Sequence, residues 1–408
     1  MILFNTKKRL ISLFIVLVSG TIIFILGLGS TGLVDETPPL FASAARAMSE
    51  SGDWLTPKVN GMYRFDKPPL IYWLMGFFYS LPKNEIWDSY GTISARLPSA
   101  LGSLFLMLMI GDTLFCWPQK GDKQFFTPIV GSLAFALSPL IIIWSRTAVS
   151  DALLTGTLGI SLLLFWRRMA SENNGQCISA WIFLGFAILT KGPLAFILAT
   201  LTITSFLSTQ RDWRNLLYKI KPKKGFLITS LISFPWYVLE LFKEGKPFWD
   251  NFFGYHNFQR FTSVVNNHSE PFWFFIYILM LASLPFTPFL CHGIFKTIED
   301  ILKSSKGNCL ASETLNTYSL CWLISVLVFF SISATKLPSY WLPAIPAAAI
   351  LISNSFVSLK NTNKPFTYLW VLNILILFGI SIAFFFSNIW LTSINDPEMP
   401  NLASELVS

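Results

Sequence analysis

Residues 366–388 read FTYLWVLNILILFGISIAFFFSN, an apolar run without a single charge. A bilayer core of about 30 Å takes roughly 20 apolar residues to cross as a helix, so this run is long enough to span a membrane. Ten more apolar segments accompany it, at about 10–29, 93–116, 125–143, 151–166, 178–190, 192–208, 225–242, 272–295, 317–333 and 338–357. The whole chain agrees with them. Of its 408 residues 53% are hydrophobic and only 13% charged, against about 25% charged in soluble chains. Its mean hydropathy of +0.55 exceeds what a water-soluble core of this length could enclose. Backbone in lipid must satisfy its own hydrogen bonds, and the strict alternation of a β-barrel is missing, so the segments are expected to be helices. The expected fold is an all-α integral membrane bundle of about eleven transmembrane helices. Residues 1–392 form the membrane domain and 393–408 a short outer tail.

The net charge of +8 and pI near 9.2 would suit nucleic acid, but membrane orientation accounts for them better. With the N-terminus inside, 18 of the 30 Lys and Arg fall in short inner loops, as the positive-inside rule requires. Lys7-Lys8-Arg9 precedes the first segment, which is long for a signal peptide and lacks a clear small-residue cleavage site, so it reads as an uncleaved anchor. The five cysteines (Cys116, Cys177, Cys291, Cys309, Cys321) show no metal-ligand spacing and lie on or near the inner side, where free thiols are expected.

Two long segments remain outside, 30–92 and 243–271, and the unusual chemistry lies there. The first opens Val34-Asp35-Glu36-Thr37-Pro38-Pro39. Adjacent carboxylates at a membrane exit are costly unless they meet water, a cation or a reacting group; Asp35 or Thr37 could equally cap a helix over 38–50. Further on, Asp66-Lys67-Pro68-Pro69 fixes an extended backbone behind a lysine whose ammonium suits a phosphate; the plainer alternative is a lysine snorkelling beside Trp73. A brief apolar stretch at 68–82 reads as an interfacial helix. Asp151, Lys191, His256, Arg260 and Lys336 fall at the same outer face, with His268 nearby in the second loop. Acids and cations gathered at one depth suit an anionic phosphate held beside a general base. No phosphate-binding glycine loop, dinucleotide fingerprint or D-x-D pair occurs, so nucleotide and nucleic acid are not expected partners. A lipid phosphate is the plausible anion.

These residues resemble a known family. D-E-T at 35–37, R-A-M-S-E-S-G-D-W-L-T-P at 46–57, N-G-M-Y-R-F-D-K-P-P-L-I-Y-W at 60–73 and A-R-L-P-S-A at 95–100 are similar to stretches of the GT-C class of lipid-linked sugar transferases. S-D-A-L-L-T at 150–155, L-T-K-G-P at 189–193, H-N-F-Q-R-F at 256–261, P-F-W at 271–273 and F-S-I-S-A-T-K-L-P-S-Y at 330–340 continue the match in order. The likeness is greatest to the lipid A aminoarabinose transferases and the dolichyl-phosphate-mannose–protein mannosyltransferase-like proteins.

The resemblance implies a GT-C-like bundle with interfacial helices in a long first outer loop. It implies a sugar passed, with inversion, from a polyprenyl-phosphate donor to a lipid or protein acceptor, outside the bacterial inner membrane. By that analogy Asp35 is the base or acceptor-orienting carboxylate and Asp151 a second acid. Lys67, Arg260 and Lys336 would face the donor phosphate, and Glu36 and Lys191 would line the cavity. Asp66 and His256 match positions that can bind a divalent cation, the one cofactor to be considered. The family carries an Arg and a Tyr soon after the Asp-Glu pair, where Pro38, Pro39 and Leu40 stand here, so one phosphate contact is either missing or replaced by Arg46. The alternative function is a lipid or lipid-linked sugar flippase, which would favour charges deep in mid-helix and an internal repeat; neither is seen.

Overall fold

The computed structural model describes residues 2–82, 88, 90–117, 126–171, 177–264, 270–303, 311–360, 367–386 and 389. His268, Cys309, the tail 393–408 and the inner-loop residues Lys120, Lys123, Lys306 and Lys364 lie outside them.

Among the described residues, each of the eleven apolar segments is largely helical. Ile93–Cys116, Trp213–Glu244 and Thr314–Ile332 are each long and apolar enough to cross a bilayer by themselves. Two further crossings are broken. Phe126–Ala136 and Pro139–Ser145 meet at 66°, and Phe274–Ala282 and Thr287–Lys303 at 114°. Proline follows the first break, where it can start a helix but not continue one, and Ser138 Oγ donates to the Ala282 carbonyl at 2.6 Å, tying one break to the other. The tenth segment starts as a tight 3-10 turn, Pro338–Ala344, before the α-helix Ile345–Lys360.

The centre of the bundle is the pair Ile93–Cys116 and Ser150–Ala170. A Cβ on Gly156 would stand 2.5 Å from the Gly102 carbonyl oxygen, so these backbones approach as only glycine permits, which is how helices in lipid gain packing without a hydrophobic drive. Fully buried Trp166, Trp322, Trp341 and Tyr318 fill the space around them. This contact fixes both ends of Ser150–Ala170. At one end Arg167, with Arg9, clasps Asp112 at 2.9 and 2.7 Å. At the other stands Asp151.

The loop 30–92 holds a helix, Thr37–Ser51, and a second, Leu70–Tyr79, as expected for 68–82. Between them a two-residue hairpin pairs Lys58–Val59 with Met62–Tyr63, a small exception to the all-α expectation. Its turn is Asn60-Gly61, both with positive φ, the pairing that best matches strand twist. The second outer segment is helical as far as Thr262, with π-helical Trp249–Gln259 as its centre. The described cysteines, Cys116, Cys177, Cys291 and Cys321, are free thiols.

Candidate active site at the bundle mouth

A cavity of about 1310 Å³ opens at the end of the bundle that carries Asp151. Its lining comes from five separated stretches: 34–41, 62–67, 143–151 with Lys191, 247–260, and 335–340. Eight of the nine acids and cations singled out above line it: Asp35, Glu36, Asp66, Lys67, Asp151, Lys191, His256 and Arg260. Lys336 does not. Its ammonium is buried and donates to the Ser333 carbonyl at 2.8 Å, so it closes its own turn and faces neither cavity. Arg46 is also elsewhere, with its guanidinium over the Tyr79 ring at 5.0 Å.

Asp35 and Glu36 are exposed, and neither makes an ion pair among the described residues. Asp35 is held at φ 75°, a left-handed conformation that Asp and Asn tolerate and most residues do not. Its Oδ1 accepts the Glu36 N–H at 2.7 Å. Glu36, not Asp35 or Thr37, occupies the position ahead of helix Thr37–Ser51, and no side chain caps that helix. The capping alternative is therefore not realised.

The other two acids are already partnered. Asp151 Oδ1 takes the Lys191 ammonium at 2.6 Å, and that ammonium lies 5.1 Å from the Tyr340 ring centre. Asp66 takes Arg64 Nη2 on Oδ2 at 2.7 Å and the Tyr72 hydroxyl on Oδ1 at 2.8 Å. Arg64 Nε also donates to the Tyr72 oxygen at 3.2 Å, closing a ring of three groups. Burial opposes the Asp66 charge, but the Lys67 and Arg64 cations outweigh it and hold the carboxyl below its ordinary range. Arg64 and Tyr72 were not singled out in the sequence, although both stand inside the 60–73 block.

Lys67 donates only to the Asp66 carbonyl, at 3.0 Å, and stands 3.8 Å from Asp66 Oδ2. Burial pushes its ammonium down to about 8; Asp66 works against this, while Lys191 and Arg260 add to it. His256 is pushed down to about 4, by burial first and then by the Lys67 cation, so it is neutral at pH 7. His256 Nδ1 and Arg260 Nε are buried without hydrogen-bond partners among the described residues.

Asp66 and His256 do not make a metal site by themselves. No group of three or more His, Cys, Asp or Glu stands close enough to hold an ion among the described residues. Both Asp66 oxygens are engaged, and Arg64, Lys67 and Arg260 would repel a divalent cation.

A second, mostly apolar groove of about 310 Å³ adjoins the cavity. It is walled by Leu194, Ile197, Phe252, Phe253, Phe258, Phe261, Phe329 and Phe330, and it shares Asp66, Lys67, Lys191, His256, Arg260 and Tyr340 with the polar chamber. Phe258, Ile197 and Phe261 are exposed on its outer side. The cations therefore stand where an apolar channel meets a polar one.

Comparisons with known proteins bear on the sequence and the fold. Residues 66–238 match the family model described as dolichyl-phosphate-mannose-protein mannosyltransferase. The chain is 26% identical over 79% of its length to an undecaprenyl phosphate-alpha-4-amino-4-deoxy-L-arabinose arabinosyl transferase of Erwinia tasmaniensis, covering 55% of that protein. It is 26% identical over 84% of its length to such a transferase of Pseudomonas fluorescens, covering 59% of that one. The chain thus spans little more than half the length of these relatives. The crystal structure of ArnT from Cupriavidus metallidurans bound to undecaprenyl phosphate superposes on 95% of the chain with a TM-score of 0.76 at 24% identity, over 66% of its own length. The archaeal oligosaccharyltransferase AglB from Archaeoglobus fulgidus superposes with a TM-score of 0.58 at 13% identity. The chain thus shares the fold of these two solved structures and is similar in sequence to the arabinosyl transferases.

Proposed function

We propose that the protein transfers a sugar from a polyprenyl-phosphate donor to a lipid or protein acceptor, at the outer face of a bacterial inner membrane. The observation that carries this reading is the junction of the two cavities. A polyprenyl chain suits the apolar groove, a sugar suits the polar chamber, and the phosphate between them then meets Lys67 and Arg260.

In the displacement, an acceptor oxygen forms its bond to the anomeric carbon while the bond from that carbon to the phosphate oxygen breaks. The acceptor's proton passes to Asp35, which with Glu36 is one of the two chamber carboxylates that make no ion pair among the described residues. The electron pair leaves with the lipid phosphate, and Lys67 and Arg260 face the charge that grows there, which is where fixed cations accelerate a reaction. Asp151 holds Lys191 in place and takes no proton. Glu36 stands beside Asp35 at the acceptor side. The exposed Phe258, Ile197 and Phe261 give the lipid chain a lateral way in.

Purified protein given a polyprenyl-phosphate-sugar should release polyprenyl phosphate and glycosylate an added acceptor. The rate at limiting donor should fall as pH rises past about 8, where Lys67 loses its proton, while the donor phosphodiester keeps its single charge. The folding linkage has the opposite sign. Because the Lys67 value lies below its ordinary 10.5, the cost of burying its charge is full below about 8 and is relieved as pH rises, so stability does not fall with the rate. A rate flat to pH 10 would remove Lys67 from the donor site; no release of polyprenyl phosphate at any pH would overturn the transferase reading.

The orientation follows from the Lys and Arg distribution. In intact cells, and in a background without native cysteines, Met62→Cys should react with a membrane-impermeant maleimide and Lys223→Cys should not. The reverse pattern would turn the site towards the cytoplasm.

A further inference from the structure

We propose that Arg64 is a positioning residue for the donor site: it takes the Asp66 carboxylate so that the neighbouring Lys67 ammonium stays available to a phosphate. The proposal rests on the donor reading above and assigns a task to a residue which that reading does not use.

Adjacent Asp and Lys at a partly buried site would ordinarily pair with each other, and an ammonium spent on a carboxylate is a poor anion binder. Here they form only a long ion pair, with no hydrogen bond between the two side chains among the described residues. Lys67 Nζ stays 3.8 Å from Asp66 Oδ2, and its nearest partner is a backbone carbonyl. Both Asp66 oxygens are occupied from the other side, Oδ2 by Arg64 at 2.7 Å and Oδ1 by the Tyr72 hydroxyl at 2.8 Å. Arg64 is itself pinned. Its Nε donates to Tyr72, and its guanidinium stands 5.1 Å from the centre of the Phe41 ring, which stacks on Tyr72 at 5.2 Å. A planar fork suits this arrangement because it can meet a carboxylate and a hydroxyl at once while lying on an aromatic face.

The hairpin explains how Arg64 arrives there. Its backbone N–H donates to the Pro57 carbonyl at 2.8 Å, the next rung after Tyr63 pairs with Lys58. The Asn60-Gly61 turn therefore sets the register that delivers the guanidinium to Asp66, two residues further on.

The test is a double-mutant cycle read as polyprenyl phosphate affinity of the purified, full-length protein, with kcat measured at saturating donor. Arg64→Gln should free Asp66 to capture Lys67 and weaken binding about tenfold or more, the scale of one lost charge-assisted contact, and kcat should fall with it, because the same ammonium faces the charge that grows on the leaving phosphate. Arg64→Gln combined with Asp66→Asn should recover most of the lost affinity, because no carboxylate is left to capture Lys67. A merely structural Arg64, or one that touches the phosphate itself, would not be rescued by removing Asp66. Tyr72→Phe keeps the ring on Phe41 and removes only the hydroxyl; it should weaken binding in the same direction by less. If Arg64→Gln does not survive purification, Arg64→Lys with and without Asp66→Asn makes the same comparison. Unchanged affinity in the single variant, or a double variant as weak as the single, overturns the role of Arg64 alone. A parent protein that does not bind polyprenyl phosphate overturns the donor reading, and this role with it.

Discussion

Asp35→Asn is expected to fold, insert and bind the lipid donor, yet to turn over about 10²–10⁴-fold more slowly than the parent, the usual scale for losing a general base. The local structure makes this substitution unusually clean. Asp35 sits at φ 75°, where Asn is as well tolerated as Asp, and an amide oxygen can accept the Glu36 N–H that Oδ1 now takes at 2.7 Å. Geometry and hydrogen bond survive; only the capacity to take a proton is lost. Asp35→Ala would confound the result by adding backbone strain. Asp53→Asn is the control on the same loop. Asp53 bridges Lys58 and Lys243 at 3.2 Å each, partly exposed. Burial is the largest single effect and pushes its carboxyl up, but the two lysines and the Leu55 N–H together hold it at about 2. Pairs this exposed contribute little, so its loss should be far milder. Transfer by Asp35→Asn near the parent rate would move the search for the base to Glu36.

Lys67→Ala and Arg260→Ala should each raise the donor concentration needed for half-maximal rate by about one to two decades, with near-normal expression. A hydrogen bond to a charged group is worth about 1.5–3 kcal/mol, and every 1.4 kcal/mol is about tenfold. The two effects should not simply add, because the Arg260 cation lowers the proton affinity of Lys67 and removing it relieves the lysine. Titrating polyprenyl phosphate against both single variants and the double variant measures this. If purified Lys67→Ala bound donor as well as the parent, Lys67 would revert to an interfacial lysine.

Much of this architecture was legible because a bilayer imposes two simple demands, length and apolarity, that survive in any sequence. All eleven segments were found on those grounds, and the junction residues Asp66, Lys67, Asp151, Lys191, His256 and Arg260 were found because charge is rare beside lipid. The misreadings have local causes. Lys336 lies in the right stretch, but a lysine's long stem leaves its direction undetermined, and here it bends back to its own backbone. Arg46 was chosen as the nearest cation in sequence, whereas the cavity draws its extra guanidinium from Arg64 across the Asn60-Gly61 hairpin. The hairpin had a signal in the Asn-Gly pair, too short to weigh against so much helix. The partnering of Asp151 had none, since a contact across 40 residues depends on how Ser150–Ala170 and Ile178–Lys191 pack.

The meeting of a greasy groove and a wet chamber at one cluster of cations also has a kinetic consequence. Under the proposed transfer, two substrates that arrive by different routes need not queue behind each other, and a spent lipid carrier would retreat sideways while the next acceptor is already seated. Traffic of that kind gives initial-rate plots that intersect instead of running parallel, and it frees the rate of carrier recycling from the size of whatever fills the chamber.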